Sequence, residues 1–266
     1  MRPVLSTTSL RTHPIRDALE AAHRWEYAGV ELWAEHLWAQ EADPVALGQE
    51  AARRGLVVTV HGPSRDLNVT SQNPGIREES RRQYARALED AARLGAVVVT
   101  LHPGSLSSSR DAPEAYWPAL VEGFAALGAA AARLGLRVGV ENMEARPGEF
   151  VTSPRQVARL VAEAASPALG LTLDIAHLLS NRQPLDLDGL EPLVVHVHLS
   201  GSTERLVHVP LDEGIYPLAP PLARLAAFYR GLVAIEGYAA GRELETVAAN
   251  RRAFDRLLGA ARATPP

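Results

Sequence analysis

The chain has 266 residues, 47% of them hydrophobic and 22% charged, and its 27 basic residues, all arginine, stand against 31 acidic ones for a net charge of −4. That length and balance suit a soluble globular protein with one large core, and they do not provide the bulk positive charge that would neutralise a phosphate backbone, so no nucleic-acid partner is expected. The absence of cysteine excludes disulfides, thiolate metal sites and cysteine nucleophiles, and the absence of lysine excludes a Schiff-base mechanism.

In chain order, short apolar runs alternate with long helical patterns. Strands are expected at 4–6, 30–33, 56–61, 96–102, 137–142, 169–174, from 194 through the VVHVHL run, and at 232–236. Helices are expected at 14–27, 43–54, from the end of the 62–75 loop through Leu94, and at 113–134, 153–165, around His177, at 221–229 and at 243–258. Their boundaries carry local signals: Asp43-Pro44 and Ser153-Pro154 as caps and first turns, and Gly55, Gly95 and Gly135 as stops. Eight strand–helix units in this length point to a single-domain α/β fold, a (β/α)₈ barrel of about 250 residues. The rival doubly wound sheet usually carries a glycine-rich phosphate loop, and neither GxGxxG nor GxxxxGK[ST] occurs. No apolar run approaches the ~20 residues of a membrane span, and the first residues lack a signal-peptide core. A cytoplasmic location with no membrane partner is the expectation.

Barrel enzymes build their sites at the C-terminal ends of the strands. The last inward position of each strand from the second onward reads Glu31, His61, His102, Glu141, Asp174, His198 and Glu236. Two residues earlier, on the same face, stand Thr59, Thr100, Gly139, Thr172, His196 and Ala234, which are mostly small or polar. The residues between, such as Val58, Val60, Val99, Leu101, Leu171 and Leu173, are apolar and suit a face packed on helices. Any one of these carboxylates could be a helix cap or a surface charge. Seven such groups on one rim bury like charges together, which is costly unless a cation compensates. Carboxylate and imidazole donors suit Mn²⁺, Mg²⁺, Co²⁺ or Zn²⁺.

The motifs VHG at His61, LHPG at His102, VEN at Glu141, LDIAH at Asp174 and His177, VHVHL at His198, HVPLDEG at His208 and IEGY at Glu236 resemble, in that order, the xylose-isomerase-like barrel superfamily. That superfamily holds sugar and sugar-phosphate isomerases and epimerases together with the endonuclease IV group of abasic-site nucleases. The resemblance implies a four-ligand metal site at Glu141, Asp174, His198 and Glu236. It also implies that Glu141 and Glu236 flank the reacting carbon, one removing and the other returning a proton while the metal steadies the enediolate oxygens.

In the nuclease branch, His61 and His102 would share Glu141 around a second ion, and His177 with His208 would hold a third. An aspartate expected two residues before that last histidine is Leu206 here. The more modest implication is that His61, His102, His177 and His208 line the pocket and hydrogen-bond a polyol. Arg205 is a candidate anchor for an anionic or hydroxyl-rich substrate, and Trp33 a candidate stacking surface for a sugar face. His13, His23 and His36 fall outside the pattern. The reading is a metal-dependent isomerase or epimerase of a sugar, sugar phosphate or related polyol carbonyl compound. Its rivals are an abasic-site phosphodiesterase, a non-catalytic metal- or sugar-binding barrel, and a lyase on the same frame; the oligomeric state is not legible.

Overall fold

A strand sends successive side chains to opposite faces, and in β3 (Val57–His61) that alternation sets Val58 and Val60 against the helices and Thr59 and His61 inward. The same division holds in β1 (Arg2–Ser6), β2 (Gly29–Trp33), β4 (Val98–Leu101), β5 (Arg137–Glu141), β6 (Leu169–Asp174) and β7 (Val194–Leu199). After β7 come two short strands, β8 (Gly201–Ser202) and β9 (Val207–Val209), which pair antiparallel outside the barrel. The last barrel strand is β10 (Leu232–Ile235). The computed structural model describes residues 1–263, and in it the eight parallel strands close in the order β1-β10-β7-β6-β5-β4-β3-β2. The chain is therefore the expected single-domain (β/α)₈ barrel.

The helices are α1 (Ile15–Arg24), α2 (Ala34–Ala39), α3 (Pro44–Arg53), α4 (Pro74–Leu94), α5 (Trp117–Arg133), α6 (Pro154–Ala164), α7 (Ile175–Ser180), α8 (Ala219–Phe228) and α9 (Glu243–Ala263). Their ends follow the local chemistry. Asp43 accepts from the Val45 N–H, Asn73 from Gly75 and Ile76, and Ser153 forms a reciprocal capping box with Gln156. Gly95, at φ 70°, closes α4 in the left-handed conformation that glycine adopts without strain. On α5, Leu120, Phe124, Leu127 and Ala131 recur at helical spacing and are all buried. Each large side chain so placed contributes about 1.5–3 kcal/mol.

Four elements depart from the expected pattern. α2 follows Trp33 directly and is only six residues long, too short for a period to show, yet it buries Ala34, His36 and Leu37. The β8–β9 pair falls in what reads as a polar loop, because strands of two and three residues leave no alternation to detect. α9 extends past the expected 258 to Ala263: Gly259, which reads as a stop, is carried inside the helix, and the Ala, Ala, Arg and Ala that follow it are good helix formers.

Inside the barrel, large and small residues interlock. A Cβ on Gly139 would lie 2.0 Å from Thr172 Oγ1, so the glycine makes room for the Thr172 hydroxyl, which pairs with Thr100 Oγ1 at 2.9 Å. This layer is the floor on which the site rests. Gly139→Ala is therefore expected to destabilise the protein by about 1–3 kcal/mol through overpacking, measured by denaturant unfolding of the metal-free protein. An unchanged midpoint would mean that Thr172 can move aside freely.

Candidate active site

β5 and β6 end side by side, and Asn142 ties them together. Its side chain accepts from the Asp174 N–H at 2.9 Å and donates to the Asp174 carbonyl at 3.0 Å. Asp174 then divides its carboxylate: Oδ1 caps α7 by accepting from the His177 N–H at 2.7 Å, and the buried Oδ2 has no hydrogen-bond partner. Glu141 is similar. Its Oε1 faces His198 Nδ1 at 3.0 Å, while its buried Oε2 makes no hydrogen bond although His61 and His102 nitrogens lie 3.6 and 3.1 Å away. Glu236, immediately after β10, brings Oε2 to 3.4 Å from the same His198 nitrogen. Four side chains from four strand ends thus converge, with donor atoms of Glu141, Asp174, His198 and Glu236 all within 4.8 Å of one another.

The orphaned oxygens test whether a cation fits here. Buried carboxylate oxygens without donors are costly, and an ion held by three carboxylates and one imidazole would satisfy them with donors that suit a divalent metal. His198 is prepared for that role. Its Nε2 faces Glu31 Oε1 at 3.3 Å, leaving Nδ1 toward the cluster, the arrangement in which an outer carboxylate fixes the tautomer of a ligating imidazole.

Glu31 corrects one expectation. It stands level with Thr59, whereas Trp33 is the β2 residue level with His61, so Glu31 lies one inward step below the rim. There it accepts from Thr59 Oγ1 at 3.0 Å and pairs with His196 Nε2 at 2.8 Å, fully buried. The reason is the stagger between neighbouring strands, which the parity of a single strand does not reveal. Trp33 does line the cavity, as do His61, His102, His177 and His208. Arg205 does not: it sits on the β8–β9 turn beside a separate cleft that includes Asn181 and Glu204.

His177 and His208 pair through their Nε2 atoms at 3.3 Å, and His208 Nδ1 lies 3.5 Å from Glu236 Oε2. His208 holds a left-handed φ of 61°, a conformation that costs a non-glycine residue of order 1–3 kcal/mol. Asp174 completes a possible ion-holding group with these two histidines, while His61 and His102 form another with Glu141. Leu206, where the nuclease pattern places an aspartate, is 63% exposed and leaves the His177–His208 group with Asp174 as its one carboxylate.

The charges on this rim adjust to one another. Burial disfavours the His198 cation, but Glu236, Glu31 and Glu141 outweigh it and hold the imidazole well above its ordinary range. Burial pushes the Glu236 carboxyl up to about 7 and Asp174 up to about 6, in each case reinforced by Glu141. Burial also lowers His208 to about 3 and keeps His102 below its usual value, so both present neutral nitrogens. The His198 cation, and the raised tendency of Glu236 and Asp174 to hold a proton, offset the crowded carboxylates.

The cavity over these groups holds about 330 Å³. Residues that sequence reasoning missed line it as well: Arg11, Arg65, Glu149 and Tyr238. Burial raises Glu149 to about 7. All four lie on loops beyond the strand ends, where neither parity nor spacing assigns a direction.

A family model described as xylose isomerase-like TIM barrel matches residues 19–257. Among curated proteins, an uncharacterised protein of Methanocaldococcus jannaschii is 26% identical over 67% of this chain, and the match covers 66% of that relative. A 3-dehydroshikimate dehydratase of Pseudomonas putida is 28% identical over 68% of this chain, which spans only 27% of the longer protein. Among solved structures, a D-tagatose 3-epimerase-like protein superposes with a TM-score of 0.85 at 20% identity, covering 99% of both chains. A xylose isomerase domain protein of Alicyclobacillus acidocaldarius superposes at 0.78 with 24% identity, over 98% of this chain and 99% of its own. At these identities the superpositions establish the fold. No helix among the described residues is long and apolar enough to cross a membrane.

Because a metal must displace the protons on Glu236 and Asp174, affinity is expected to depend on pH. Below about 7 and then about 6 these carboxyls are protonated, so apparent affinity should fall by about tenfold or more per pH unit between pH 7 and 6. Titrating Mn²⁺ into chelator-stripped protein across this range checks it. A flat profile would remove these carboxylates from the binding site.

Proposed function

The chain belongs to the xylose isomerase-like TIM barrel family, and from that premise we propose that it is a divalent-metal-dependent isomerase or epimerase of a sugar or related polyol carbonyl compound. The observation that carries this reading is the buried cluster of Glu141, Asp174, His198 and Glu236, with unpartnered Glu141 and Asp174 oxygens. The epimerase names of structural neighbours, among them a D-tagatose 3-epimerase-like protein and an L-ribulose 3-epimerase, support the substrate class.

Glu141, Asp174, His198 and Glu236 would hold the cation. When bound, it would supply Lewis-acid polarisation of the substrate carbonyl and offset the negative charge that develops on its oxygen. The chain's own groups provide the rest. Glu141 and Glu236 approach His198 Nδ1 from separate strand ends, at 3.0 and 3.4 Å. A substrate carbon placed between them has a carboxylate on either side, one to take the proton next to the carbonyl and one to return it. Neutral His102 offers the polyol a ring nitrogen, and His208, whose nitrogens lie 3.3 Å from His177 Nε2 and 3.1 Å from Ser200 Oγ, lines the pocket beside it. The buried wall of Trp33, with His61 beside it, limits water at the reacting carbon.

A second reading, metal-assisted hydrolysis of a phosphodiester, draws on the two further ion-holding groups, His61–His102–Glu141 and Asp174–His177–His208. Against it stand the balanced charge of the rim loops and the exposed Leu206 where that chemistry uses a carboxylate.

Glu236→Gln preserves shape but removes the base, so incorporation of deuterium from solvent into a keto sugar should fall by ~10² or more while substrate binding changes much less. The measurement is NMR of recovered sugar after incubation with metal-loaded protein in deuterated water. Wild-type protein that exchanges no proton into any carbonyl sugar would leave a non-catalytic barrel. Efficient incision of an abasic oligonucleotide, abolished by Glu141→Gln, would promote the hydrolase.

A further inference from the structure

The cavity is not electrically uniform. Its floor and one wall are acidic, with Glu141 and Glu236 below and Glu144 and Glu149 on the loop after β5. On the side of β1 and β3 stand two arginines, Arg11 and Arg65. Arg11 follows the 3₁₀ turn Thr7–Leu10 that leaves β1. Its guanidinium carbon lies 3.8 Å from the centre of the Tyr238 ring, and Nη1 donates to the Thr8 carbonyl at 3.2 Å. Arg65 lies 4.6 Å from the Trp33 ring. Its loop is tied down, because the Glu35 carboxylate accepts from the Ser64 and Arg65 backbone N–H groups at 3.2 and 2.9 Å. Trp33 in turn donates from Nε1 to Ser64 Oγ at 3.3 Å.

Neither guanidinium makes an ion pair within 4.0 Å among the described residues, whereas the third arginine of the cavity, Arg146, is 2.5 Å from Glu144. On the outer helices, arginines such as Arg159, with Glu114 and Glu163 at 2.9 and 2.8 Å, are likewise matched to acids. A guanidinium held against an aromatic ring loses little further freedom on binding, and the N–H groups not already donated, as Arg11 Nη1 is to Thr8, remain for a planar or tetrahedral oxyanion. Two such cations at one side of a polar mouth serve no purpose for a neutral polyol, whose hydroxyls the histidines and glutamates can already pair.

We infer that the substrate of this site carries an oxyanion, a carboxylate or a phosphate monoester, and that Arg11 and Arg65 bind it while the carbonyl end lies between Glu141 and Glu236. This rests on the reading of the site as acting on a polyol carbonyl compound and narrows it to the anionic members. Both residues are specificity determinants: they act on the end of the molecule remote from the proton transfer.

The test is calorimetric titration of manganese-loaded protein with three probes: D-fructose, D-fructose 6-phosphate and 2-keto-D-gluconate. Wild type should bind one of the two anions at least about tenfold more tightly than the neutral ketose. The phosphate winning assigns a phosphate monoester, and the keto acid winning a carboxylate. The double variant Arg11→Gln/Arg65→Gln should lose that preference, with fructose binding and thermal midpoint nearly unchanged. Equal binding of all three probes, binding of neither anion, or a preference that survives the double substitution would overturn the inference. Deuterium exchange on the same samples separates the two readings: a charge preference without exchange in any probe leaves the anion site standing and removes the isomerase, and exchange without a charge preference does the reverse.

Discussion

The structure depends on how four carboxylates are kept ionisable inside the mouth of an apolar barrel. Glu31, Glu141 and Asp174 are at most 1% exposed and Glu236 is 6% exposed. An isolated buried charge costs several kcal/mol even after relaxation, so this arrangement persists only because each carboxylate meets an imidazole or hydroxyl. His198 is the hub, with one nitrogen toward Glu31 and the other toward Glu141 and Glu236. In the metal-free state a proton on His198 carries the compensating charge. On the proposed reading a divalent ion would take over that compensation and satisfy the Glu141 and Asp174 oxygens that meet no hydrogen-bond donor.

The fold holds these groups by layering rather than by loops. Each of the four candidate ligands sits within one residue of a strand end, and the inward position beneath it is a threonine, a glycine, an alanine or His196. The small residues let the barrel interior close, and the hydroxyls bond within their own layer, as Thr100 does with Thr172 at 2.9 Å and Thr59 with Glu31 beside it at 3.0 Å. A site built on strands with a bonded floor suits the close positioning that the proposed proton transfer between Glu141 and Glu236 would demand. The residues proposed to select the substrate, Arg11 and Arg65, lie instead on the loops after β1 and β3.

Strand parity made most of this legible in advance. The alternation of VVTVH, VVTL, RVGVE and VVHVHL assigns an inward face without any knowledge of the neighbouring strand, and that face carries His61, Glu141 and His198. Parity says nothing about height. Glu31 shares the inward face of β2 with Trp33, and only the pairing register shows that Trp33 is level with His61. The cavity arginines were illegible for a related reason: Arg11 meets Tyr238, and Arg65 meets Trp33, across the barrel mouth and not along the chain. Arg205, the loop arginine that the sequence offers as a substrate anchor, belongs to a hairpin that turns it toward another cleft. The β8–β9 hairpin that does this contains His208 at positive φ, a conformation that sequence gives no reason to expect of a histidine.

The central claim is that one divalent ion belongs at the convergence of four strand ends, and the most direct measurement is anomalous diffraction from manganese-loaded crystals at the metal absorption edge. The account predicts a single strongest peak about 2.0–2.3 Å from oxygens of Glu141, Asp174 and Glu236 and from Nδ1 of His198, with His198 Nε2 still directed at Glu31. A structure with no peak there, or with the ion bound through Nε2 of His198 among Glu31 and His196, would contradict it.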